Sequence, residues 1–480
     1  MELLASILTS TLWVLLAFTI LVLVHELGHF LTAKYFGMRV ERFSIGFPPT
    51  ILGRNYGRTE YALGALPLGG YVKISGMIDE SLDTEHVDDE PEPWEFRAKP
   101  VWQRIIVISA GVVFNVILAV IIFGGVRWAE TETYVPAENV EQVYVRDGSV
   151  AHQVGLRTGD QILAVNGESF ERFDQMEPSA LISSDTLTVT VMRDGTRKTL
   201  IGPSNIISRL SEASNNGRGF GLGFKPPLIG WVKEGSPADS IGLQVGDRVR
   251  SIGQDTVRFW MEMSTLLQEI GGKPVTVRWF RPDSLSSSGA GTSPATVVGK
   301  TDAGYVLEAK VAAEYNSELD RYLLGVKSAG ASETTRQILY EKFGARTKTY
   351  GPAEALKAGL ANTWQYARTI VVTLKRIATG RDSLTKSLGG PVMIAKVTSN
   401  AAAAGLSDYW KLIGALSVTL AIMNILPVPA LDGGQLLFLL YEGVTRRRPS
   451  VRVRLVAQQI GMILLLGFMA FLIFNDILRL

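Results

Sequence analysis

Long charge-free runs interrupt an otherwise ordinary polar sequence. Leu3 to Val24 holds 22 residues without a charge, and Ile105 to Val126 matches it with Asn115 as its strongly polar residue. Leu412 to Leu431 is broken by Pro427 and Pro429, and Leu455 to Phe474 lies near the end of the chain. Each run has about the 20 residues that one helical membrane crossing needs. Four transmembrane segments are therefore predicted, at 1–36, 105–128, 411–440 and 454–480. The first has no basic start and is too long to be a cleaved signal peptide. Lys34, Arg39 and Arg42 follow the first span, Lys99 and Arg104 precede the second, and Arg446, Arg447, Arg448, Arg452 and Arg454 crowd the connection at 441–453. The positive-inside rule makes the 37–104 and 441–453 loops cytoplasmic, with both termini and the long 129–410 region outside.

The intervening segments carry their own patterns. Tyr61 to Met77 alternates apolar residues around Pro67 and Gly69-Gly70, which predicts a membrane-dipping β-hairpin at 61–77 with an open strand edge. Asp79 to Glu95 is an acidic, solvated loop that contains His86. In the outer region, Gly148–Glu168 and Gly235–Asp255 share the frame G-S-x-A-x-x-x-G-L-x-x-G-D at an offset of 87. That frame resembles bacterial PDZ domains and implies two of them, at 129–224 and 225–335, each able to take a peptide C-terminus at a sheet edge. Gly221-Leu222-Gly223-Phe224 is a candidate carboxylate loop for the second copy, and Ser284–Pro294 reads as a flexible insertion in it. Within the 336–410 linker, Gly351 to Thr379 has a helical pattern whose Arg368, Lys375 and Arg376 argue for a helix on the outer membrane surface. The expected fold is a polytopic α-helical membrane protein with four transmembrane helices, a membrane-associated β-hairpin and two extracytoplasmic α+β PDZ domains.

Composition narrows the chemistry. A hydrophobic share of 46% is too apolar for an ordinary soluble protein, and a net charge of +2 gives no argument for nucleic acid. The absence of cysteine removes disulfides, Cys-zinc sites and thiol catalysis together.

Polar residues at the end of the first span then stand out. His25-Glu26-Leu27-Gly28-His29 is an H-E-x-x-H pattern. On a helix the two imidazoles lie one turn apart and can share a metal, while Glu26 can reach a water held by it. Ionisable groups at membrane depth are costly and mark function. A catalytic zinc needs a third protein ligand. His86 and His152 are the remaining histidines, and neither lies shortly downstream of the motif. Asp432, after the helix-breaking prolines in Asn424–Gly434, is the carboxylate candidate, although a helix-capping Asp is the alternative reading.

HELGH in a first span with N-x-x-P-x-P-x-L-D-G-G in the third resembles the site-2 protease family of intramembrane zinc metalloproteases, in its bacterial branch with a tandem PDZ insertion. Gly46-Phe47-Pro48, Pro67–Val72, Asn115 and Gly389–Val392 extend the match, while Pro49 departs from it by following Pro48 without the usual glycine between Phe and Pro. The resemblance implies zinc on His25, His29 and Asp432, with Glu26 as general base. It also implies that Asn424, Pro427 and Pro429 help hold the substrate backbone. The Gly69, Gly70, Tyr71 and Val72 segment would present an edge strand, and Asn115 would lie structurally near the site. The implied activity is hydrolysis of a peptide bond in or near the membrane span of pre-trimmed single-span substrates, such as anti-sigma factors or remnant signal peptides. The implied setting is a bacterial inner membrane, with the active site toward the cytoplasm. A membrane-anchored PDZ receptor or scaffold with a non-proteolytic metal site is the competing class.

Overall fold

The computed structural model describes residues 2–77, 90–173, 184, 186–215, 219–283, 294–317, 321–328 and 344–479. His86, most of the acidic run and nearly all of the Ser/Gly insertion lie outside the described residues. The chain forms two compact units, Met1–Thr131 with Thr349–Ala378 and Ser383–Leu480, and Glu132–Lys348 with Thr379–Asp382.

In the first unit, elements are numbered in chain order. Helix α1 is Glu2–Tyr35, strands β1 and β2 are Val40–Tyr56 and Thr59–Ile74, and α2 is Val101–Ala129. Helices α3 to α7 are Pro352–Ala378, Pro391–Ala404, Leu406–Ile425, Asp432–Thr445 and Val451–Arg479. Leu8–Tyr35, Val101–Ala129, Leu406–Ile425 and Val451–Leu478 are long and apolar enough to span a membrane.

The predicted third span, 411–440, is two helices. Pro427 and Pro429 lack the N–H that a continuing helix would use, so α5 stops at Ile425 and α6 starts afresh at Asp432. The link is closed by Val428 N–H to Leu426 C=O at 2.7 Å and Leu431 N–H to Val428 C=O at 3.0 Å. A Cβ on Gly433 would fall 2.1 Å from Leu426 O, so only glycine lets the second helix begin this close beneath the first.

The hairpin also differs from expectation. The strands reverse at Gly57-Arg58, since Tyr56 pairs with Thr59, and the ladder extends back to Val40 opposite Ile74. Phe43, Ser44 and Ile45 stand opposite Tyr61–Leu63 and also opposite Gly70–Val72. The two arms expected to fold onto each other at Gly69-Gly70 therefore both pair with β1. Alternation within 61–77 identified strand but not its partner.

The helix expected on the outer surface packs one face against α2. Gly359 of α3 lies against the backbone of Val120 and Gly124 in α2, and the Tyr366 ring stacks on Phe123 at 5.2 Å. Helix α4 falls within the 336–410 stretch expected to hold linker and amphipathic surface helices. Its first N–H groups, on Gly390 and Met393, donate to Asp476 of α7 at 2.9 Å each, which accounts for a fully buried carboxylate in the last span. At the other end of α7's neighbours, Arg104 of α2 grips Glu442 of α6 with two hydrogen bonds of 2.6 and 3.0 Å.

In the second unit the repeated frame folds twice the same way around two apolar cores, one centred on Val143, Leu156 and Val189, the other on Ile229, Val249 and Trp279. Ser149 and Ser236 cap short helices by accepting from the N–H of His152 and Asp239. Asp160 accepts from Arg157 N–H and pairs with Arg193, whose Nη2 also donates to Gly155 O. Asp247 does the same with Gln244, Arg281 and Gly242 O. The conserved-in-frame Gly-Asp is thus a buried loop lock in both copies. Leu222-Gly223 pairs with Tyr144-Val145, and Phe220, Leu222 and Phe224 pack on the first core. The candidate loop at Gly221–Phe224 therefore closes the first copy and not the second; in the second copy Leu324-Gly325 makes the matching contacts with Ala238 and Lys233.

Asp160→Ala would strip the part-buried Arg193 of its carboxylate and the Arg157 N–H of its acceptor, and losing hydrogen bonds to a charged group costs about 1.5–3 kcal/mol. Hydrogen exchange of the full chain is expected to show faster exchange across 143–201 with 229–311 unchanged. Equal protection in both regions would show that the lock carries little stability.

Candidate metal centre

His25 and His29 face the same side of α1, and both are 7% exposed. Their Nε2 atoms lie 3.3 Å apart, with Asp432 Oδ2 from the start of α6 at 3.1 and 3.5 Å from them. Three ligands at 2.0–2.1 Å around a tetrahedral zinc stand roughly 3.3 Å from one another, which is the size of this triangle. Two further observations agree with a cation. Asp432 Oδ2 is buried and makes no hydrogen bond among the described residues. The His29 Nδ1–H donates to Val107 O at 2.8 Å, so its Nε2 presents a lone pair toward the other ligands. The residues present fit zinc.

The second ring is oriented by Asn115, whose side-chain amide sits 3.2 Å from His25 Nδ1. Asn115 is fully buried and its Oδ1 has no partner with Nδ2 toward the ring. Rotating the amide half a turn makes that oxygen the acceptor for Nδ1–H and frees Nε2 for metal. Ser417 of α5 donates to Asn115 O at 2.8 Å and ties this position to the third span.

The triangle opens on a cavity of about 1020 Å³, lined by Glu26, Phe47, Tyr71, Val72, Asn424 and Met462 among others. Glu26 is half-buried on its wall. Asn424 Nδ2 lies 3.1 Å from His25 Nε2, so the last turn of α5 reaches the ligands. Of the predicted substrate-binding residues, Tyr71, Val72 and Asn424 line the cavity. Pro427, Pro429, Gly69 and Gly70 do not; Ala430 and Leu431 line it from the broken link, and Lys73 and Ile74 continue the strand. Pro427 and Pro429 act through the shape of that link. A Cβ on Gly69 would meet the Phe47 ring at 2.4 Å, so Gly69 seats a wall residue. No described strand pairs with the outer side of Gly70–Ile74. Toward the mouth, Arg42 holds Glu60 through two hydrogen bonds of 2.8 and 2.9 Å and donates to Tyr71 at 3.0 Å. That hydrogen bond from Arg42 keeps the Glu60 carboxyl below the usual carboxylate range.

Sequence reasoning missed Gly111. It lies one helical turn before Asn115 on α2, against both imidazoles: a Cβ there would be 2.4 Å from His29 Nε2 and 2.5 Å from His25 Cε1. Gly28, inside the motif, faces the Ala110 carbonyl in the same crossing, where a Cβ would be at 2.5 Å. The i, i+4 spacing of Gly111 and Asn115 was the one available signal. His152 belongs to the second unit, where its Nδ1 accepts from Gly148 N–H.

The sequence model of peptidase family M50 matches residues 13–468. The chain is 32% identical to the regulator of sigma-E protease RseP of Salmonella typhimurium (strain 14028s / SGSC 2262), over 98% of this chain and 100% of the relative. It is 30% identical to the protein of the same name from Escherichia coli K12, and 30% identical to a putative zinc metalloprotease of Vibrio cholerae, each over 98% of this chain and 100% of the relative.

Proposed function

Because the chain belongs to peptidase family M50, the site-2 type of membrane zinc metalloprotease, we propose that it hydrolyses a peptide bond in or beside the transmembrane segment of single-span proteins whose outer part has already been removed. The observation that carries this reading is the His25, His29 and Asp432 triangle, with Glu26 on the wall of a cavity among membrane-length helices. His25, His29 and Asp432 hold the zinc, and Glu26 is the general base. Bound there, zinc supplies Lewis acidity to a water and to the scissile carbonyl. Glu26 accepts the proton as the water oxygen bonds to the carbonyl carbon, and delivers it to the amine as the C–N bond breaks. A helical substrate hides its carbonyls in its own hydrogen bonds, so it must be extended first. The free edge at Gly70–Ile74 supports strand addition as the means, with the Asn424 amide placed to hold substrate backbone. The relatives' printed name, regulator of sigma-E protease, favours anti-sigma factors among the substrates; remnant signal peptides are chemically equivalent.

In this reading the two repeated modules of the second unit are PDZ domains outside a bacterial inner membrane, and the basic loops support a metal site toward the cytoplasm. The modules read peptide C-termini and exclude substrates with bulky outer domains. Cleavage of a single-span substrate by purified protein, with trimmed and intact versions side by side, tests both parts. The wild type is expected to cut the trimmed form and lose that activity on chelation, regaining it with zinc. A variant lacking 135–335 is expected to cut both forms. Unchanged preference for the trimmed form in that variant would remove the modules from the gating role.

A further inference from the structure

The connection between α6 and α7 gathers positive charge that the protease chemistry does not use. Arg446, Arg447, Arg448, Arg452 and Arg454 fall in or beside the connection, and Glu442 near its start pairs with Arg448 and with Arg104 of α2: six cations less one anion leaves +5. Arg446 to Arg448 follow the C-terminus of α6, where the helix dipole welcomes cations. Arg452 and Arg454 occupy the first turn of α7, where it repels them. Glu442 is already engaged by Arg104 on both oxygens and by Arg448 Nε at 2.9 Å. Arg454 is left over. Half-buried among like charges, its guanidinium has neither hydrogen bond nor ion pair among the described residues. The acid nearest to it, Glu442, is already shared by two other arginines, and a half-buried cation in that position is costly unless a further anion joins it.

We propose that Arg454, with the neighbouring Arg448, forms a site for the phosphate of an anionic phospholipid headgroup. A phosphate there gives the guanidinium the charged hydrogen-bond partner it lacks and neutralises the excess charge. The helix says why the phosphate belongs to a lipid. Arg454 shares the inward stripe of α7 with Gln458 and Gly461, and the adjoining stripe of Val453, Val456 and Ile460 is about half exposed. A headgroup drawn in at Arg454 thus has an apolar surface directly beside it for its acyl chains.

The test is native mass spectrometry of the full chain in detergent with equal amounts of phosphatidylglycerol and phosphatidylcholine. The wild type is expected to retain phosphatidylglycerol preferentially. Arg454→Gln should weaken that binding about tenfold or more, the usual weight of hydrogen bonds to a charged group. Arg454→Lys should keep part of it, and a melting curve for each variant separates lost binding from lost folding. Equal retention of both lipids by the wild type, or folded Arg454→Gln binding as tightly as wild type, overturns the site. Displacement of the lipid by an equal concentration of inorganic phosphate overturns the lipid assignment.

Discussion

Glu26→Gln is expected to bind zinc as the wild type does and to cleave a trimmed single-span substrate about 10²- to 10⁴-fold more slowly, the range that a positioned general base supplies. Glu26 lies on the cavity wall next to His25 but outside the ligand triangle, so the amide leaves the three ligands untouched. It removes only the group that takes a proton from water and returns it to the amine. Metal content and cleavage rate must be measured on the same preparation. A variant that holds one zinc and cuts at the wild-type rate would move the base elsewhere. One that loses zinc as well would make Glu26 a ligand or a support for one.

Gly111→Ala is expected to be as damaging, for a reason helix propensity gets backwards. In a helix interior, glycine to alanine ordinarily gains about 1 kcal/mol. Here the new methyl would sit 2.4 to 2.8 Å from atoms of both imidazoles. Either α2 retreats from α1 or the rings rotate away from Asp432, and displacing ligands by an ångström is enough to cost about 100-fold in rate. Loss of bound zinc with helix content unchanged by circular dichroism is the expected result. Gly125→Ala, on the same helix with nothing within 4 Å of its Cβ, is the matched control and should be neutral or slightly stabilising. Full zinc occupancy in Gly111→Ala would show that the two helices are not this close.

The sequence was most informative where chemistry or hydropathy is local. Charge-free runs located the spans, because a bilayer demands about 20 apolar residues in any fold. HELGH offered two candidate ligands because i and i+4 share a helix face whatever surrounds it. Asp432 was found by elimination and by resemblance, across 403 residues of chain. The repeated frame announced two like modules, and the buried Asp160–Arg193 and Asp247–Arg281 locks give the reason its Gly-Asp recurs.

Pairing and packing were hidden, because they depend on which surfaces meet. Alternation at 61–77 marks strand equally well for several partners, and only the folded chain sets Phe43–Ile45 between the two arms. The charges on α3 said that one face is polar, while Gly359 and Tyr366 carry its docking face against α2. Gly221–Phe224 was assigned to the wrong copy because its partner, Tyr144-Val145, lies some eighty residues earlier. By itself, the amino-acid order determined the membrane segments, the repeated modules and the two candidate histidine ligands, all properties of residue type and short spacing; Asp432 was a candidate only by elimination and resemblance. The tertiary structure alone brought three ligand atoms from two distant helices to metal-sized separation, with Gly111 making room for them. Such closeness is set by how backbones approach, and no local pattern records it.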